Sequence, residues 1–100
     1  MFGLKLLKVI GESMEPVLPA GCFILVANWL LIFPIRCKQR LVIDHPKYGV
    51  IVKTVAIVDK NGLIWSRGEN DGSLSVEQLG PVNKTQIIGK VIGVFKLKNS

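Results

Sequence analysis

Gly49-Val50-Ile51-Val52-Lys53-Thr54-Val55-Ala56-Ile57-Val58, followed by Asp59-Lys60-Asn61-Gly62 and Leu63-Ile64-Trp65-Ser66-Arg67, is the stretch that decides the fold. The first segment is dense in β-branched residues and apolar on both faces, the pattern of a strand buried on both sides. Asn61-Gly62 is a strong hairpin turn signal, and Leu63 to Arg67 reads as the returning strand. Working outward, Arg40 to Asp44 reads as a short strand stopped by Pro46, Cys22 to Asn28 as an apolar strand, and Leu6 to Ile10 as the first strand. Thr85 to Lys98 reads as a long closing strand with Gly89 and Gly93 as candidate bulges. Gly11 to Gly21 holds two prolines and two glycines and predicts a structured loop. Gly68 to Pro81 reads as a polar loop long enough to carry function. No convincing amphipathic helix and no internal repeat is present. Together these segments predict an all-β chain of about six or seven strands, a curled, partly barrel-like antiparallel sheet forming one domain over residues 1–100.

Composition narrows the function. Hydrophobic residues make up 49% of the chain, enough for an ordered core. The net charge of +6 favours nucleic acid, an anionic membrane surface or an acidic partner. A single-strand-binding sheet interleaves aromatic and basic residues on one face. Phe2, Phe23, Trp29, Phe33, Tyr48, Trp65 and Phe95 do not follow that pattern, so no nucleic-acid partner is expected. Cys22 and Cys37 form neither a disulfide framework nor a C-x-x-C motif, which predicts free thiols in the reducing cytoplasm. With His45 as the single histidine, neither a metal nor another cofactor is expected. No apolar run approaches the ~20 residues of a membrane-spanning helix, and the N-terminal MFGLKLLKVIG has no cleavable-signal pattern. The longest apolar run, Trp29 to Ile35, is interrupted by Pro34 and followed by Arg36, Lys38 and Arg40. It has two readings: core of an extended hairpin, or an exposed apolar tip with a basic collar that docks a partner protein or touches a membrane peripherally.

Two residues stand out chemically. Strand alternation groups Lys53 with Ile51, Val55 and Ile57. A lysine in that company either lets its head reach water along an apolar stem or is desolvated. Desolvation favours the neutral amine, which can serve as a general base. Ser13 lies in Gly11-Glu12-Ser13-Met14-Glu15-Pro16, where a strand gives way to a proline-shaped loop. A serine hydroxyl becomes a useful nucleophile when a neighbouring base takes its proton. A histidine-based triad is the rival assignment, but the adjacent Asp44 points to the opposite strand face from His45, and neither Asp59 nor Asp71 is tied to it.

The surrounding pattern joins the two. Gly11-Glu12-Ser13-Met14-Glu15-Pro16-Val17-Leu18-Pro19-Ala20-Gly21 resembles the nucleophile box Gly-x-Ser-Met-x-Pro-x-Leu-x-x-Gly of signal peptidase I and the LexA-type self-cleaving repressors. Lys53 falls in the place of that superfamily's base. Gly68-Glu69-Asn70, Ser73-Leu74 and Gly80-Pro81-Val82 are similar to a third box, and Gln86-Ile87-Ile88-Gly89-Lys90-Val91 to the Ile-x-Gly-Lys segment that closes the domain. The resemblance implies a signal-peptidase/LexA-like catalytic core and a serine endopeptidase with a Ser13–Lys53 dyad. It implies the Ser13 N–H as an oxyanion donor, Ser73 as a partner of the lysine, and Met14 and Pro16 as substrate-binding residues. The sequence departs from the pattern at Gly11, where some relatives carry a serine, at Cys22 and Glu69 in place of aspartates, after Asn70 by one missing residue, and at Ser75-Val76-Glu77. With neither the membrane anchor usual in signal peptidase I nor a helix-turn-helix domain, the short chain looks most like the maturation proteases of nickel superoxide dismutase. That implies a precursor protein as substrate, cleaved to release a leader or propeptide.

Overall fold

The computed structural model describes residues 3–96. Phe2 and the Leu97-Lys98 end of the expected closing strand lie outside the described residues. Seven strands form one curled antiparallel half-barrel: β1 (Leu4–Lys8), β2 (Phe23–Ala27), β3 (Arg40–His45), β4 (Gly49–Val58), β5 (Ile64–Arg67), β6 (Pro81–Val82) and β7 (Ile87–Phe95), in the spatial order β1-β2-β7-β3-β4-β5-β6. The all-β class and curled sheet are therefore those the hydrophobic pattern predicts.

The β4–β5 hairpin closes as its turn residues require. Gly62 sits at φ 81°, a left-handed conformation open to glycine. The Asp59 carboxylate accepts from the N–H groups of Asn61 and Leu63 and from Trp65 Nε1 at 2.9–3.1 Å. β4 is not buried on both faces along its whole length, as its sequence suggests. Only Lys53, Thr54 and Val55 are fully buried, because β3 pairs with residues 49–54 and β5 with 54–58, leaving both ends of the long strand half-covered. β3 is the strand enclosed on both sides. Val42 joins a cluster with Val9, Met14, Leu18, Cys22, Ile24 and Val26, while its neighbours Leu41 and Ile43 join Val55, Ile64, Val82 and Ile87.

The extra residues in β7 are Ile88 and Ile92, each one position before a glycine singled out in the sequence. Gly89 is required for packing, since a Cβ there would lie 2.6 Å from Val26 Cγ1 and 2.9 Å from the Ala27 carbonyl oxygen. The loop after Gly68 is more ordered than its polarity suggests. It contains a one-turn helix, α1 (Val76–Leu79), with a reciprocal Ser75–Gln78 capping box, and Leu79 buried beneath it.

The apolar run after β2 divides between its two readings. Trp29–Ile32 forms a 3-10 turn; Leu31 and Ile35 pack on the second cluster, whereas Ile32 and Phe33 are 79% and 54% exposed. A 3-10 turn repeats every three residues, so a continuous apolar segment cannot turn all its side chains inward. No helix among the described residues is long and apolar enough to cross a membrane. Cys22 is buried, and Cys37 is exposed with its thiol 3.1 Å from the Ala56 carbonyl oxygen; both are free.

Candidate active site

The site is built where β1 ends. Val9 continues the β1–β2 pairing through bonds with Cys22 and Gly21, and the chain then reverses at Gly11, at φ 86°. Glu15 N–H donates to the Glu12 carbonyl and Leu18 N–H to the Met14 carbonyl, coiling the loop. Met14, 1% exposed, and Leu18 anchor it in the first apolar cluster. Ser13, next to that anchor, keeps a half-buried hydroxyl.

Lys53 approaches from the centre of β4. Its amine lies 2.9 Å from Ser13 Oγ, the partner it finds among the described residues. The residue is 5% exposed and pairs in register with the fully buried Leu41. Burial pushes the amine below the ordinary lysine range. An ammonium has three donors to satisfy, and a single hydroxyl partner leaves it poorly compensated, so the environment favours the neutral amine. In that form the nitrogen can accept a hydrogen bond from Ser13 Oγ.

The loop after β5 clamps Ser13 from the other side. Glu69 N–H and Ser73 Oγ donate to the Ser13 carbonyl at 2.7 and 2.8 Å, and Asn70 Nδ2 donates to the Glu12 carbonyl. Ser73 therefore holds the main chain of Ser13, rather than the lysine amine as the resemblance implies; its hydroxyl also lies 3.2 Å from Asn70 Oδ1.

Met14 is part of the core and also lines a cleft of about 290 Å³ beside Ser13. Pro16 follows a cis peptide bond, is exposed, and is not among the residues lining that cleft. His45 is structural. Its Nδ1 accepts from the Lys47 N–H at 3.0 Å, which leaves Nε2–H to donate to the Leu79 carbonyl at 2.7 Å. Among the described residues no three His, Cys, Asp or Glu side chains gather as a metal site.

The sequence marks Glu69 only as a departure from the aspartate of the pattern it resembles, and nothing in it singles out Thr54. In the structure the longer side chain of Glu69 accepts from Thr54 Oγ1 and from Arg67 Nη1, the latter at 3.2 Å, with Arg40 Nη2 at 3.9 Å. The close sequence spacing of Arg67 and Glu69, opposite in charge and two residues apart, was the available signal. The Thr54 hydroxyl, then Arg67 and Arg40, hold the Glu69 carboxyl below its usual range against the opposing effect of burial. A carboxyl pKa lower in the folded than in the unfolded chain stabilises the fold above about pH 4.3 and loses that contribution as pH falls through the folded value. Glu69→Gln is thus expected to cost about 1–2 kcal/mol at neutral pH, with the difference from wild type shrinking in acid. Thermal melts at pH 7 and pH 3 check it; equal differences at both would contradict this role.

No protein-family model matches the sequence, and no significant match to it was found among curated proteins.

Proposed function

We propose that this chain is a serine endopeptidase in which Ser13 is the nucleophile and Lys53 the general base. The observation that carries the reading is the 2.9 Å contact between a half-exposed serine hydroxyl and the amine of a buried lysine. Lys53, neutral, takes the Ser13 Oγ proton as the oxygen attacks the scissile carbonyl carbon. The tetrahedral intermediate collapses, the C–N bond breaks, and the leaving amine takes the proton from the Lys53 ammonium. Lys53 then deprotonates a water that attacks the acyl-enzyme ester, releasing the carboxylate product and restoring Ser13. The Ser13 N–H is the proposed oxyanion donor.

The cleft favours an extended peptide. It runs between residues 7–10 at the end of β1 and residues 50–52 of β4. β1 is an edge strand, and residues 49–53 of β4 are paired with β3 alone, so both walls offer free main-chain groups. The proposed substrate is a precursor protein losing a leader or propeptide. The nickel superoxide dismutase precursor is its candidate, on the strength of the motif resemblance.

The test is cleavage of that precursor, and of a proteome-derived peptide library read by mass spectrometry. Ser13→Ala should lower the rate at least about a thousand-fold while keeping the wild-type circular dichroism. A folded Ser13→Ala protein that cleaves at the wild-type rate would overturn the mechanism. A wild-type chain that cleaves neither substrate would point instead to a non-catalytic binding β-domain.

A further inference from the structure

A second groove lies away from Ser13. Residues 90–95 of β7 pair with β2 on one side, but β3 covers only residues 87–90 on the other. The chain before β3 turns away instead, with Lys38 N–H donating to the Val55 carbonyl and Val55 N–H to that of Gln39. The divergence opens a groove of about 450 Å³ along the unpaired edge at residues 91–94, walled by Lys38, Arg40 and Lys90 with Leu30 above.

Its walls are cationic and no Asp or Glu lines them, although Arg40 Nη2 lies 3.9 Å from the Glu69 carboxylate. Lys90 is buried, and its amine donates to the Pro34 carbonyl at 3.0 Å. Burial, together with Lys84 and Arg36 nearby, holds that amine below the ordinary lysine range. Arg40 Nε is buried and has no hydrogen-bond partner among the described residues. Lys38 holds φ 72°, unusual for a residue with a side chain.

We propose that this groove docks an extended acidic peptide segment of a partner protein, added to β7 as a further strand. The unpaired edge supplies main-chain donors and acceptors over about 3.4 Å per residue, and alternate side chains of such a strand meet the same wall. Lys38, whose side chain is exposed, and Arg40, whose side chain is 34% exposed, select carboxylates at those positions. A second copy of the chain is a poor occupant, because each copy carries +6 and the like charges repel. If the chain is the peptidase proposed above, the groove is a place outside the cleavage cleft where an acidic stretch of the precursor is held.

Binding is measured on the full chain carrying Ser13→Ala, so that catalysis plays no part and failure here is separate from failure of the peptidase reading. The probe is a fluorescent hexapeptide alternating valine and glutamate, followed by anisotropy and by amide shifts of the isotope-labelled protein. The expected result is binding that moves the amides of residues 91–95 and weakens at least tenfold in Lys38→Glu, whose side chain is exposed. Methylating alternate peptide amides should remove it. Equal binding of a valine–lysine hexapeptide, or shifts confined to other strands, would overturn the proposal. So would inorganic phosphate, or anionic phospholipid vesicles engaged through Ile32 and Phe33, occupying these residues without competition from the hexapeptide.

Discussion

Lys53→Arg is expected to be as inactive as Lys53→Ala. A guanidinium keeps its proton at any pH a protein survives, so it fills the space of the lysine without supplying a base. Removing one member of a nucleophile–base pair costs several orders of magnitude in rate, since the two act as a unit. Stability should move the other way. Burial lowers the Lys53 amine in the folded chain, so the unfolded chain binds more protons between that value and about 10.4, and stability rises with pH across the interval. At neutral pH the wild-type fold therefore bears the cost of a desolvated amine. Lys53→Met should relieve it and raise stability by about 1 kcal/mol while leaving no cleavage. Denaturant titration beside the activity assay checks both halves. Substantial activity in Lys53→Arg would place the base elsewhere.

Gly68→Ala is expected to have the second largest effect. A Cβ at residue 68 would lie 2.2 Å from Ser73 Oγ and 2.7 Å from the Ser13 carbonyl oxygen. The first can swing aside, but the second is main chain and moves only with Ser13 itself. Displacing a reacting group by about 1 Å costs on the order of a hundred-fold in rate, and the overpacking about 1–3 kcal/mol in stability. Gly72→Ala is the control, because its nearest contact, Asn70 Oδ1, stays at 3.4 Å. Its kcat/KM should stay near that of wild type. A Gly68→Ala enzyme with unchanged kcat/KM would show that the clamp on Ser13 does not position the hydroxyl.

Most strands were legible because strand pattern is local, although β1 begins two residues earlier than expected, at Leu4, and the two-residue β6 was not expected. β4 has the bounds its residues suggest, Asn61-Gly62 turns the hairpin, and bulges fall beside Gly89 and Gly93. The short helix at Val76 escaped notice because one turn is too brief to show a period, although Ser75 and Gln78 spell its cap. The Ser13–Lys53 contact joins residues forty apart in sequence. Alternation alone says that Lys53 is out of place on β4; only the resemblance names its partner. The uses of Ser73 and Glu69 were not legible. Both depend on how closely the loop from Gly68 to Ser73 approaches Ser13, a distance set by the curl of the whole sheet rather than by any residue type nearby.

The central claim is that a neutral Lys53 activates Ser13. It is tested most directly by mass spectrometric mapping of a serine-directed covalent probe as a function of pH. The account predicts a single adduct on Ser13, formed faster as pH rises through a midpoint below the ordinary lysine value of about 10.4, with labelling in Lys53→Arg reduced to background across the range. Labelling of Ser13 in Lys53→Arg at the wild-type rate, or an adduct on another serine that survives Ser13→Ala, would contradict it.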